Sequence, residues 1–389
     1  MWRRAVALVN ARVVTDEGIA SSIRFSTRVL GIDSPPARGD VVVDVEGSFV
    51  LPGLVNAHDH LELNHFGRVK FRDSYENSSS WIDDMRPRLR EDPAIREGRS
   101  QPLRDRLLVG GLKNLLSGVT TVSHHNPLYR ELGRGFPVRV VRRYGWAHSF
   151  FLEKGPEIEK AYRNTPRDAP FFIHLAEGFD ANAREELSRL RALGCLRENT
   201  VLVHGVGLSP NDWTSVRQAG AGLVWCPSSN LFLLGRTATL DRSLDSSIAL
   251  GTDSRLSGAR DLLEELRVAR AAASVEPADL LRMVTANAAN LLRVPEAGRL
   301  SPGHPADLMV IPPLAEDPAH ALLALDRSQI RMVTVGGRPL VGAPELSSVF
   351  AARRVATAAV NLDGEARVLD GALARRIRAS SLAESGLDL

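Results

Sequence analysis

Four short apolar runs in this chain each end in a side chain able to bind a metal or exchange a proton. Leu51-Pro-Gly-Leu-Val-Asn-Ala-His-Asp-His60 sets two imidazoles two residues apart, and Phe171-Phe-Ile-His174, Val201-Leu-Val-His204 and Ile248-Ala-Leu-Gly-Thr-Asp253 follow in order. On a β-strand, positions i and i+2 share a face, so His58 and His60 can grip one cation while Asp59 points away. The later runs are β-branched or aromatic, and each polar residue sits where its strand stops. Helix-like stretches at 100–117, 181–193, 259–273 and 277–292 alternate with the strands. A (β/α)8 barrel places such strand-end groups at one mouth.

The flanks read differently. Residues 5–50 are short strands punctuated by Gly and Pro, including Val41-Val-Val-Asp-Val45, and residues 306–344 return to that style. The expected division is a composite β-sandwich of 1–51 with 305–360, a barrel over 52–304, and a partly helical tail over 361–389. Between a third strand near Val138–His148 and the His174 strand only about 22 residues remain, holding one helix-like segment at Pro156–Asn164. One βα unit is therefore expected to be missing or degraded: either the barrel is shortened, or Phe150-Phe-Leu152 acts as a vestigial strand. The insert Leu61–Arg99, with Trp81 after the loop Asn77-Ser-Ser-Ser80, reads as a lid or as plain solvated surface. Within it, Arg68 and Arg72 are candidates for an anionic substrate group, or are simply solvated.

Composition sets the outer limits. With 389 residues and 44% hydrophobic content, the chain can build a barrel of about 250 residues plus a smaller unit. A formal charge of +3 with dispersed basic residues argues against nucleic acid as partner. No run approaches the roughly 18 apolar residues of a membrane span, and the start Met1 to Asn10 is too short in its apolar part for a signal peptide. A cytoplasmic location is expected. Cys195 and Cys226 are far apart and fit reduced, packed thiols. Ser228, Ser229 and Asn230 read as residues tying a strand to its loop, and no G-x-S-x-G elbow is present.

Specific motifs then narrow the reading. PGLVNAHDH at 52–60, SGVTTV at 117–122, HLAE at 174–177, VHGVGLS at 203–209, WCPSSNLFL at 225–233, LGTDS at 250–254 and GRLSPGHPADLMVI at 298–311 occur in this order. The chain thereby resembles the amidohydrolase superfamily, in the branch of cytosine and guanine deaminases and triazine hydrolases. That resemblance implies an α/β fold of the (β/α)8 metal-dependent hydrolase type with the small β-sandwich. It makes His58, His60, His174 and Asp253 the metal ligands, and Glu177 and His204 the acid-base and orienting groups, with Asp253 also a proton acceptor. Family members are often oligomeric, which extends to this chain as an expected homo-oligomer.

The chemistry of these side chains agrees. Three neutral imidazoles and a carboxylate suit Zn²⁺, and an open position admits water whose pKa falls from about 15.7 toward 7. Fe²⁺ and Mn²⁺ also fit nitrogen and oxygen donors. Two-metal relatives bridge their ions with a carboxylated lysine on the fourth strand. Of 49 basic residues only Lys70, Lys113, Lys154 and Lys160 are lysine, and the last two lie in a charged helix-like stretch, so one metal is expected. His124, His125 and His148 follow the second and third strands and are candidates for contact with substrate; strand alternation sends only one of the adjacent pair inward. The expected activity is hydrolytic deamination of a small nitrogen heterocycle. Opening of a cyclic amide or removal of another ring substituent is the alternative, and a silent metal-binding or assembly protein is the reading from a different class.

Overall fold

The computed structural model describes residues 4–241 and 246–389. Met1–Arg3, the head of the segment weighed as a signal peptide, lie outside the described residues. Parallel strands form the centre of the molecule. Leu54–Asp59, Val119–His124 and Arg139–Val140 make a three-stranded sheet; Gly145–Ala147, Phe171–Leu175, Thr200–His204, Gly222–Trp225 and Ile248–Leu250 make a five-stranded one. A parallel bridge between Asp59 and Asp253 joins the first strand to the segment after the last. There the Asp253 N–H donates to the His58 carbonyl at 3.1 Å and the His60 N–H to the Asp253 carbonyl at 3.3 Å.

The expected third strand near Val138–His148 is in fact two short strands, Arg139–Val140 and Gly145–Ala147, which pair with different neighbours. Only residues 141–144 connect them, too few for a crossover helix. The third βα unit has thus lost its helix, and the fourth keeps one at Gly155–Asn164. Phe150–Leu152 is no vestigial strand; it lies in a turn closed by the Leu152 N–H on the Ser149 carbonyl.

Alternation along the strands separates two apolar layers. Val55, Ala57, Phe172, Val201, Val203, Val224 and Ala249 pack together on one face. Their neighbours Leu54, Phe171, Ile173, Leu202, Leu223 and Leu250 join the cluster formed with the surrounding helices. Those helices begin where the sequence supplies caps: the Asp180 side chain accepts from Ala183 N–H, Asp261 from Leu263 and Glu264, and Ser209 forms a capping box with Asp212.

Strands from both chain ends share one nine-stranded sheet, in which Phe49–Pro52 pairs antiparallel with Leu308–Ile311 and parallel with Arg12–Thr15. A four-stranded sheet built on Val6–Val9 lies against it through Leu8, Phe25, Val50, Leu308 and Val310. The expected boundary at residue 360 falls inside the hairpin of Thr357–Leu362 with Glu365–Asp370, which extends the larger sheet. The tail then adds the helix Gly371–Arg378 and the short strand Leu387–Asp388. Among the described residues, no helix is long and apolar enough to cross a membrane.

Near its end the tail is anchored by charge. Glu384 is 1% exposed and accepts both Arg255 guanidinium nitrogens, at 2.7 and 2.8 Å, and Arg327 Nη1 at 2.7 Å. Arg255 lies two residues past Asp253, so the last turn of the chain braces the loop beyond the final strand. Glu384→Gln would leave two guanidinium groups without their shared carboxylate, and a loss of about 3 kcal/mol is expected in urea unfolding. An unchanged midpoint would show the anchor to be dispensable.

Candidate metal centre and active site

His58, His60 and His174 converge at the ends of the first and fifth parallel strands. His174 Nε2 lies 3.3 Å from both His60 Nε2 and His58 Nε2. The Asp253 Oδ1 faces the same point, 3.5 Å from His60 Nε2 and 3.7 Å from His58 Nε2. Burial pushes all three imidazoles below their ordinary pKa, with neighbouring imidazoles adding to the effect at His60 and His174. They are therefore neutral. His174 Nδ1 lies 2.9 Å from the His148 carbonyl, an acceptor only, so Nδ1 carries the proton and Nε2 presents a lone pair. Nitrogen and carboxylate donors gathered at these distances could hold a metal ion between them. Donors at about 2.0–2.1 Å from a tetrahedral ion would stand about 3.3–3.4 Å apart, and the residues fit that requirement.

The strands reach this arrangement by breaking their own alternation. Val55 and Ala57 point to the inner apolar layer, so strict alternation would turn His58 away; a register irregularity between Asn56 and Asp59 resets the parity. Ala176, His204 and Asp253, all directly beyond or at strand ends, hold left-handed φ values of 52°, 77° and 53°. Non-glycine residues adopt this region at a cost of about 1–3 kcal/mol each, which the surrounding bonds must offset.

Asp253 is held from behind. Its Oδ2 accepts from Ser229 Oγ at 2.7 Å and Ser257 Oγ at 2.8 Å, leaving Oδ1 for the centre. Burial would raise its carboxyl, but the His58 contact and the other imidazoles outweigh this and keep it well below the usual carboxylate range. Asp59 does point away, into a fully buried polar network. It accepts from Asn64 Nδ2 at 2.8 Å and Asn114 Nδ2 at 2.8 Å, and pairs with Lys113 Nζ at 3.3 Å. Lys113 also donates to Asn64 Oδ1 and Thr252 Oγ1. One ammonium thus links the residue between the two strand-one histidines to the residue before Asp253.

Glu177 and His204 meet beside the cluster, with His204 Nε2 at 3.6 Å from Glu177 Oε1. Burial raises the Glu177 carboxyl, partly offset by His204. His204 Nδ1 bonds Asn230 Oδ1 at 2.8 Å, and Asn230 Nδ2 donates to Thr237 Oγ1 at 3.1 Å. The insert after strand one docks on this segment: Ser78 N–H donates to the Glu177 carbonyl, and Phe179 N–H to that of Glu76. Gly178 permits the approach, since a Cβ there would stand 2.6 Å from Asn77 Cβ. Behind, Glu186 accepts the Ala176 N–H at 2.7 Å, and Glu265 accepts that of Ser228 at 2.9 Å.

A cavity of about 250 Å³ opens onto His60, His174, Glu177, His204 and Asp253. Helix Ser78–Glu91 supplies Ser78, Trp81 and Ile82 to its wall, so the insert covers the mouth. His148 lines it as well. His124 and His125 do not: His124 is buried near Glu62 and Tyr129, and His125 stacks on His174 at 4.2 Å with Nε2 on the Ala147 carbonyl. Arg68 and Arg72 also lie outside the lining. Sequence reasoning passed over Asn126, which lines the cavity and bonds Glu62, and over Lys113; it read Ser229 and Asn230 as turn residues.

The amidohydrolase family model matches residues 172–340. A 5-methylthioadenosine/S-adenosylhomocysteine deaminase of Pyrococcus furiosus is 26% identical over 78% of this chain and 82% of its own length. The Halobacterium salinarum protein of that description is 26% identical over 86% and 91%. The amidohydrolase family match spans less than half of the chain. Among solved amidohydrolase structures, atrazine chlorohydrolase from Arthrobacter aurescens with zinc superposes at a TM-score of 0.72, with 18% identity over 90% of this chain and 99% of that one. An adenosine deaminase from Xanthomonas campestris with bound zinc gives 0.70, with 18% identity over 90% and 97%.

Two predictions follow from the supporting network. Lys113→Met removes the cation that neutralises Asp59, and metal affinity is expected to fall about 10–100-fold with far-UV circular dichroism retained; equal metal retention would detach the network from the centre. Burial pushes Glu186 and Glu265 up to about 7, from an ordinary 4.5. Their raised folded values mean stability that is full below about pH 4.5 and declines as pH rises to about 7, by at most about 3 kcal/mol for each. Glu186→Gln should flatten that decline in urea melts between pH 5 and pH 8, and an identical pH slope would contradict it.

Proposed function

We propose that the chain is a mononuclear metal-dependent hydrolase of a non-peptide C–N bond whose reaction is hydrolytic deamination of a small nitrogen heterocycle. The observation that supports this best is the convergence of three neutral imidazole nitrogens and a carboxylate beside a second, buried carboxyl group. His58, His60, His174 and Asp253 would hold one divalent ion. Zinc is the first choice, from the donor set and from the zinc in the two solved neighbours. When bound, the ion supplies Lewis acidity and lowers the pKa of a coordinated water.

The protein groups divide the proton work. Asp253 takes the first water proton on Oδ1, while two serine hydroxyls keep Oδ2 in place. Glu177, raised by burial, carries a proton at its carboxyl oxygen and delivers it to a ring nitrogen or the departing amine. His204 donates its Nδ1–H to Asn230 Oδ1, so its Nε2 lone pair, beside Glu177, is placed to accept from the hydroxyl that is delivered to the attacked carbon. A silent scaffold has no use for a buried carboxyl at this point. The deaminases among the relatives favour an amine as leaving group, and the atrazine chlorohydrolase keeps displacement of another ring substituent as the second reading.

The test combines metal analysis with turnover. Purified protein should carry about one equivalent of metal, lost in His58→Ala and Asp253→Asn, and should release ammonia from a panel of purines, pyrimidines and pterins. Glu177→Gln should keep the metal while turnover falls at least about 10²–10⁴-fold. Undiminished ammonia release in that variant would remove Glu177 from the mechanism, and wild-type protein that takes up no metal would remove the centre.

A further inference from the structure

The wall of the cavity narrows the substrate, given the deamination reading above. Part of it is apolar, from Leu63, Trp81, Ile82 and Leu233. The polar groups facing it include Asn126, Ser149 and His148. The acidic groups of the lining are Glu177 and Asp253, and among the described residues no lysine or arginine lines it.

Four cations of the insert, Arg68, Lys70, Arg72 and Arg86, are close in sequence but bonded elsewhere. Arg68 donates to the Gly258 carbonyl and lies over the Phe232 ring; Lys70 donates to the Asp73 and Phe232 carbonyls. Arg72 holds Asp84 through two hydrogen bonds, and Arg86 pairs with Asp83. With the heterocycle at the metal end of the cavity, a phosphate or carboxylate on its substituent would meet the apolar part of the wall and give up its water with no guanidinium or ammonium there to replace it. An apolar or neutral substituent meets the opposite situation, since Trp81 and the leucines gain from covering it.

We propose that the site takes an uncharged amino-heterocycle bearing neutral or apolar substituents, and rejects the same heterocycle once it carries a phosphate or carboxylate. This rests on the deamination reading for the choice of heterocycle, but the discrimination is a property of binding and is measurable without turnover. The probes are calorimetric titrations of the metal-loaded protein with paired neutral and charged ligands. One pair is adenosine 5′-carboxamide against adenosine 5′-carboxylate; a second sets 5′-methylthioadenosine against S-adenosylhomocysteine, whose amino acid end is zwitterionic.

The neutral member of each pair is expected to bind at least about 100-fold more tightly, with the carboxamide and carboxylate pair excluding size as the cause. Charged ligands that bind within about tenfold of their neutral partners would overturn the inference, as would failure of every neutral ligand to bind. Ammonia release, followed in parallel, separates the two levels. Neutral ligands that bind selectively and release no ammonia sustain the charge discrimination and remove deamination as the reaction. As a gain-of-function check, Ser149→Arg places a cation at the wall and should strengthen carboxylate binding at least about tenfold; no gain would overturn charge as the basis of rejection.

Discussion

Three buried imidazole nitrogens crowded together, with His174 Nε2 at 3.3 Å from both of the others and the Asp253 carboxylate facing them, are the constraint on which this site depends. Such an arrangement could hold a cation, and the backbone enforces it. Burial keeps the rings neutral, and the His148 carbonyl fixes the His174 proton on Nδ1. The lone pairs that result are the ones a divalent ion requires. The same burial raises the neighbouring Glu177 carboxyl, so one desolvated pocket both prepares the ligands and readies a proton carrier.

Enforcing that geometry costs regular structure at the strand ends. The register irregularity in strand one and the left-handed φ values at Ala176, His204 and Asp253 each depart from the local preference of the chain. Each departure is matched by polar bonds behind it. Glu186 holds the Ala176 N–H, Asn230 holds His204, and two serines hold Asp253. Asp59 and Lys113 tie the first and last strands through Asn64 and Thr252. Because a buried ion pair stabilises little by itself, its value here lies in fixing the spacing between His58, His60 and Asp253.

The parts of this arrangement legible in the sequence were those written as short-range pattern. The H-x-H pair, and the apolar runs ending in His174, His204 and Asp253, encode strand ends directly, and the structure brings all of them together. The helices flanking them were legible for the same reason, through apolar spacing. The supporting residues were not. Lys113 sits on a helix with nothing local to mark it as buried, and its acceptors lie 49 and 139 positions away. Ser229 and Asn230 look like turn residues until the chain closes and brings Asp253 and His204 to them. His124 and His125 show the converse failure: residues at the right strand end turn toward packing and backbone carbonyls, because which neighbour covers them is a tertiary fact.

The lost third helix shows how little of a barrel a site of this kind needs. With residues 141–144 as the whole connection, that wall of the ring has no crossover helix to cover it, yet what the centre requires from the fourth unit is a carbonyl in the right place. The His148 carbonyl accepts both the backbone N–H and the Nδ1–H of His174, while the His148 N–H is held by Glu153. Tyr144 adds a hydroxyl bond to the Asn126 carbonyl, bracing the loop after strand two from the shortened segment. Side-chain anchors thus replace a helix at the point where packing was given up. The insert after strand one covers the mouth from the other direction, and it is there, through Trp81 and its neighbours, that the chain places the surface a substrate meets.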